Sequence, residues 1–222
     1  MFTIVSIALK TLNLLSWCLL MYRRETGTSV FGRLFPWGIV FSPKKPTTFL
    51  PVALAILYFE LLLSQDIFLL ATKSSNEVYF LFFGLIIIFE FFILARIGLL
   101  VFRKRYILPL FGTIAILTGV FVSLAYFNES LEILNFLDFV LLVIKFLVTI
   151  LIILKIILKG KVLEYFGIVL FICTFLAAFI LQMFITGLLG YGYLTNWPLG
   201  QISMVFTESL WLGVSLIWRK KL

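Results

Sequence analysis

Five ionisable side chains, Lys10, Glu60, Glu90, Lys145 and Glu208, each lie near the centre of a separate run of about twenty apolar residues, the length that crosses the hydrocarbon core of a bilayer. A charge at that depth costs about 2.5 to 3.5 kcal/mol even on lenient insertion scales, so each group must face a partner, water or a substrate. The chemistry open to them is proton exchange. Three mid-depth acids against two amines leave one carboxyl without a counter-ion, a group that can be held neutral and carry a proton, and a protonated carboxyl in an apolar pocket is the usual form of a general acid. A structural account uses the same residues: Lys10 and Lys145 pair with Glu60, Glu90 and Glu208 in a polar seam that fixes helix order. Against it stands the desolvation cost of a buried ion pair, which can exceed its Coulomb gain.

Two further charges accompany these five. Asp66 follows Glu60 by six residues, and Arg96 follows Glu90 by six. That spacing turns about 240° round a helix and shifts depth by about 9 Å, so neither couple shares a face and each member needs partners from other helices. Asp138 and Lys145 are seven apart and do share a face. Lys10, Glu60, Glu90, Arg96 and Lys145 are therefore candidates for a substrate or proton pathway. Lys155 and Glu164 lie close enough to span ends to reach the interface.

The chain contains no histidine, which removes His-ligated haem, His-based zinc sites and Ser-His catalysis. Its two cysteines, Cys18 and Cys173, fall inside apolar runs and suggest neither a disulfide nor a metal centre. No metal and no cofactor is expected. The formal charge of +8 is concentrated in the gaps between apolar runs, the pattern of cytoplasmic loops rather than of a nucleic-acid-binding face.

The elements that must position these groups are helices in lipid. Apolar residues make up 63% of the 222 residues and the mean hydropathy is +1.20, far above the usual soluble share of about 45 to 50%. Runs at 2–21, 49–70, 78–101, 107–127, 135–157, 163–184 and 199–218 predict an all-α, polytopic bundle of seven spans in one domain. The first run lacks a basic start and a small-residue cleavage site and reads as a retained span. With the N-terminus outside, the inner segments carry Arg23, Arg24, Arg33, Lys44 and Lys45, then Arg103, Lys104 and Arg105, then Lys159 and Lys161, and last Arg219, Lys220 and Lys221, whereas the outer loops carry only Lys73. This asymmetry predicts an outer N-terminus and a cytoplasmic C-terminus. The expected setting is a bacterial inner membrane, with membrane lipids and other membrane subunits as the partners to consider.

Tyr22, Tyr79, Tyr106, Tyr126, Tyr165, Trp197 and Trp218 fall near predicted span ends and suit interfacial belts. Ala115, Gly119 and Ser123 recur at four-residue intervals, a stripe that lets another helix approach closely. The segment SVFGRLFPWGIVFSPKKP is too short to span but apolar enough to lie in the interface or dip partway into the membrane. Gly187, Gly190, Gly192 and Pro198 argue against continuous helix in the last outer connection.

The stretch LYFELLLSQDIFLLATKSSNEVYFLFFGLIIIFEFFILARIGLLVFRKR, the Pro-bearing approach FSPKKPTTFLPVALAILYF and the later acidic segment GQISMVFTESLWLG together resemble the YhhN/TMEM86 family of membrane lysoplasmalogenases. Gln65 stands where that family has Gly, and Glu208 where an Asp is typical. The resemblance implies hydrolysis of the vinyl-ether bond of lysoplasmalogens by intramembrane acids, with Asp66 and Glu208 as the catalytic positions. Three functions thus remain open: an intramembrane lipid hydrolase or an inactive relative of one, a small proton-coupled carrier, and a non-catalytic subunit or assembly partner of a larger membrane complex.

Overall fold

The computed structural model describes residues 2–24, 36–41, 46–71, 76–103, 106–128, 131–189 and 197–221. These residues form helices α1 (Phe2–Arg24), α2 (Trp37–Phe41), α3 (Pro46–Ala71), α4 (Asn76–Phe102), α5 (Ile107–Phe127), α6 (Leu131–Leu158), α7 (Phe166–Leu189) and α8 (Trp197–Lys221), with no strand among them. Each apolar run read from the sequence lies on a helix, as it must where lipid offers no hydrogen bonds and the backbone has to satisfy itself. The one offset is at 163–165, which form the turn leading into α7. Among the described residues, five helices carry a stretch long and apolar enough to cross a membrane: Ile4–Tyr22, Phe49–Ala71, Phe80–Phe102, Ile107–Phe127 and Phe139–Leu158. The apolar parts of α7 and α8, Phe166–Leu181 and Val205–Trp218, are shorter.

Local chemistry sets the helix ends. Pro46 opens α3, where its missing N–H is no loss. At the end of α6, Gly160 adopts φ +63°, while its N–H bonds to the Ile157 carbonyl at 2.9 Å and the Lys161 N–H to the Ile156 carbonyl at 3.4 Å. This is a Schellman closure, which favours a residue without Cβ at that position. α7 continues through Gly187 to Leu189, further than the glycine content of that stretch predicts, because one Gly in an apolar helix is a modest penalty that packing overrides. Gly190 and Gly192 lie outside the described residues.

α3 runs through the middle of the bundle. From Phe49 to Leu57 its residues are buried on every side, by α1, α2, α4 and α7. Beside it, Trp211 of α8 collects the rings of Trp17, Tyr58, Phe59, Phe171 and Phe175 at centroid separations of 5.1 to 6.4 Å. Trp218 and Tyr165 belong to the same core: Trp218 packs edge-on against Trp17. They correct the expectation of interfacial belts at those two positions, since an aromatic ring serves a helix contact as readily as a headgroup layer. Tyr22 and Tyr106 are exposed, as a belt requires. The side chains of Tyr79 and Trp197 lie outside the described set.

α5 is peripheral, with only Thr118 and Ala125 buried. Its small-residue stripe does not seat a neighbouring helix: Gly119 and Ser123 are exposed, and a Cβ built on Gly119 would meet nothing within 4 Å. Of the interrupted segment before α3, the described part, α2, packs on the flank of the bundle with Val40 buried and Trp37 and Phe41 exposed. Trp37 contacts the rings of Phe89 and Phe92, both at 6.3 Å, and Phe41 contacts Phe92 at 6.1 Å. These two phenylalanines sit near the middle of α4, so α2 packs alongside the centre of a long helix and not across its end.

Candidate functional site

α1 carries Ser6, Lys10, Asn13 and Trp17 at intervals of four, three and four residues, which puts them on one face. That face lies against α8 and meets α3 at its edge. Lys10 Nζ is 2.7 Å from Asp66 Oδ2 and 3.6 Å from Glu208 Oε1. Ser6 Oγ donates to the same Glu208 oxygen at 2.8 Å, and Asn13 Nδ2 donates to the Glu208 backbone carbonyl at 2.9 Å. One turn further on, Ser16 and Ser215 share a hydrogen bond at 2.7 Å, so α1 and α8 are joined by a ladder of polar contacts of the kind that holds helices together in lipid. Lys10 and Glu208 are each 4% exposed. Asp66 is more open, its side chain 15% exposed.

Asp66 and Glu208, 142 positions apart in the chain, thus converge on one ammonium. The count is unbalanced: two carboxylates, one amine. Glu208 Oε2, Asn13 Oδ1 and Trp17 Nε1 are buried with no hydrogen-bond partner among the described residues. Unmatched polar atoms of this kind are uncommon in packed interiors and mark places that exchange protons or hold something small.

A second cluster is balanced. Lys145 Nζ on α6 lies 2.6 Å from Glu90 Oε2 on α4, and Tyr58 Oη on α3 donates to Glu90 Oε1 at 3.0 Å. Lys145 also sits 5.2 Å from the centroid of the Phe179 ring, a cation–π contact worth most where water is absent. Every heteroatom of the Glu90 carboxylate has a partner. Tyr58 also meets the ring of Trp211, three residues after Glu208 on α8, at 6.4 Å between centroids, and so stands between the two clusters.

The remaining candidates join neither cluster. Arg96 points at the end of α2, where Nε donates to the Val40 carbonyl at 3.2 Å and Nη2 donates to Val40 and Phe41 carbonyls. It closes the negative end of a short helix. Glu60 has no ion pair and its carboxylate no hydrogen bond among the described residues. The seam expected from pairing Lys10 and Lys145 with the three glutamates is therefore corrected: Asp66 takes the place of Glu60, because α1 and α3 are packed so that Lys10 reaches toward the C-terminal end of α3. The side chain of Asp138 lies outside the described residues.

Sequence reasoning missed Ser6, Asn13 and Tyr58. The first two were signalled by the repeat of polar residues with Lys10 along one face of α1, and Tyr58 only by its place two residues before Glu60 in an apolar run. Among the described residues no group of three or more His, Cys, Asp or Glu side chains is placed to hold a metal ion. The apolar helices are those of an integral membrane protein. No protein-family model, curated protein or solved structure matches the chain.

Proposed function

We propose that this chain is a seven-span protein of a bacterial inner membrane, with its N-terminus outside and C-terminus in the cytoplasm, and that its Lys10–Asp66–Glu208 centre hydrolyses an ether lipid of the lysoplasmalogen type. One observation carries the reading: Asp66 and Glu208, the two positions implied by the YhhN/TMEM86 resemblance, meet on a single ammonium although nothing in their spacing requires it. In vinyl-ether hydrolysis a neutral carboxyl protonates the alkene carbon β to the ether oxygen, leaving an oxocarbenium ion at the carbon bonded to that oxygen. Water adds to that centre, and the hemiacetal collapses to an aldehyde and an alcohol while the proton returns to the carboxylate. Glu208, with one oxygen held by Ser6 and the other unpartnered, is the proton donor. Asp66, 2.7 Å from the Lys10 ammonium, stabilises the cation and orients the water.

The test is aldehyde release from lysoplasmalogen by the purified protein in detergent–lipid micelles. Glu208→Gln and Asp66→Asn each lower the rate by about a hundredfold or more while helical content is kept. Absence of activity in the wild type, or wild-type rates in both variants, overturns the assignment. A second reading, a proton-coupled carrier, is favoured by Tyr58, which donates to Glu90 and packs against Trp211 beside Glu208 on α8. It predicts proton flux in proteoliposomes that is lost in Tyr58→Phe and Glu90→Gln, with no aldehyde produced.

A further inference from the structure

Glu60 is the mid-span charge that has no ion-pair partner among the described residues. It sits eleven residues from the outer end of α3, about 16 Å along the helix axis, beyond reach of any lipid headgroup. Its side chain is half-buried rather than enclosed. The inner half of α3, through Leu57, is buried all round, but from Glu60 to Asp66 every residue is partly open, and Ile67, Phe68 and Leu70 are exposed. The carboxylate therefore stands where α3, which packs against α1, emerges from the bundle. Proton uptake alone does not solve the problem, since a neutral carboxyl in lipid still holds a donor and an acceptor that hydrocarbon cannot satisfy.

Among the described residues the chain has no cation to offer there. Lys10 is committed to Asp66 and Glu208, Lys145 to Glu90, and Arg96 to the end of α2. Lys155 lies three residues from the end of α6, at the wrong depth. A second copy would bring the same commitments. We infer that the open face of α3 around Glu60 is the docking site for a transmembrane helix of another polypeptide that presents a lysine or arginine at mid-depth. The inference is independent of the hydrolase reading, because it uses neither Asp66 nor Glu208.

The probe is a synthetic leucine-rich transmembrane helix with one central Lys, compared with versions carrying Leu or Gln at that position. Each is labelled for energy transfer to the full-length protein in phosphatidylcholine vesicles. The Lys helix associates about tenfold more tightly than the Leu helix, and Glu60→Gln reduces it to the Leu level. Melting of the isolated Glu60→Leu protein is unchanged or higher, since no internal contact is lost. Four results overturn the inference: equal association of the Lys and Leu helices, equal association of the Gln and Lys helices, self-association of the protein that depends on Glu60, or a lowered melting temperature for Glu60→Leu, which would reveal an internal partner.

Discussion

The two charged clusters share an architecture and differ in their count. Around Lys145 one ammonium meets one carboxylate, a tyrosine hydroxyl takes the second oxygen and a phenylalanine ring covers the cation. Around Lys10 one ammonium meets two carboxylates, and three buried polar atoms are left over. A satisfied network rigidifies a bundle, whereas a half-satisfied one is costly and survives where it has work to do. The balanced cluster thus reads as a clamp between α4, α6 and α3, and the unbalanced one as the place where a proton can come and go.

The comparison breaks most sharply by stripping one ion from the clamp. Lys145→Met leaves Glu90 buried and uncompensated and lowers stability by about 3 to 5 kcal/mol, whereas the double variant Glu90→Leu/Lys145→Met returns to near the wild-type value. Unfolding in mixed micelles, followed by helical signal, checks both. If the double variant is as unstable as the single one, the clamp contributes more than a matched pair of charges. Retained hydrolysis in the folded double variant would place the chemistry at Lys10 alone.

A smaller effect sharpens the role of the link between clusters. Tyr58→Phe removes the hydroxyl that donates to Glu90 at 3.0 Å and keeps the ring against Phe175 and Trp211. The loss is about 1.5 to 3 kcal/mol, the worth of a hydrogen bond to a charged acceptor, by the same unfolding assay. A change in aldehyde release without this loss would mean that Tyr58 serves the Lys10 centre and not the clamp.

At the Lys10 centre the expected pattern reverses. Glu208→Gln removes the excess carboxylate, leaves Lys10 matched to Asp66 at 2.7 Å, and changes stability by no more than about 1 kcal/mol, even as the proposed activity disappears. A residue whose replacement abolishes function at little cost in folding is acting chemically. A drop comparable to that of Lys145→Met would instead make Glu208 a structural counter-ion and remove the contrast between the clusters.

How much of this was legible beforehand depended on the range of the forces involved. The helices were readable because an apolar run of span length in lipid has only one way to satisfy its backbone, and Ile107–Phe127 matches its predicted run to the residue. The partners of Lys10 were not readable. They lie 56 and 198 positions away and are chosen by the rotation of α1, α3 and α8 about their axes, which a sequence of generic Leu, Ile and Phe barely encodes. The same degeneracy explains the inward Trp218 and the outward Gly119 stripe: an aromatic or a small residue suits either a lipid face or a helix contact, and only the neighbour decides. The partner of Arg96 was hidden for a different reason. Two carbonyls at the end of a five-residue helix satisfy its guanidinium, a partner that no spacing in the sequence announces.

The smallest expected effect lies outside the membrane, at the turn between α6 and α7, and serves as the control for the buried clusters. Lys161 Nζ is 2.7 Å from Glu164 Oε2 with both side chains about half exposed, and the neighbouring carboxylate holds the lysine above its ordinary range, by hydrogen bonding first and charge second. A cation favoured in the folded state contributes stability that is complete below its ordinary titration range and is lost as pH rises through the raised one. That contribution is small because water screens an exposed pair. Melting of wild type and Glu164→Gln should therefore coincide at neutral pH, and the Lys161 ammonium, followed by NMR, should titrate at lower pH in the variant. A melting difference as large as that of Tyr58→Phe would show that the turn, closed at Gly160, carries more of the bundle's stability than its exposure allows, and would weaken the case that charge matters here chiefly where lipid excludes water.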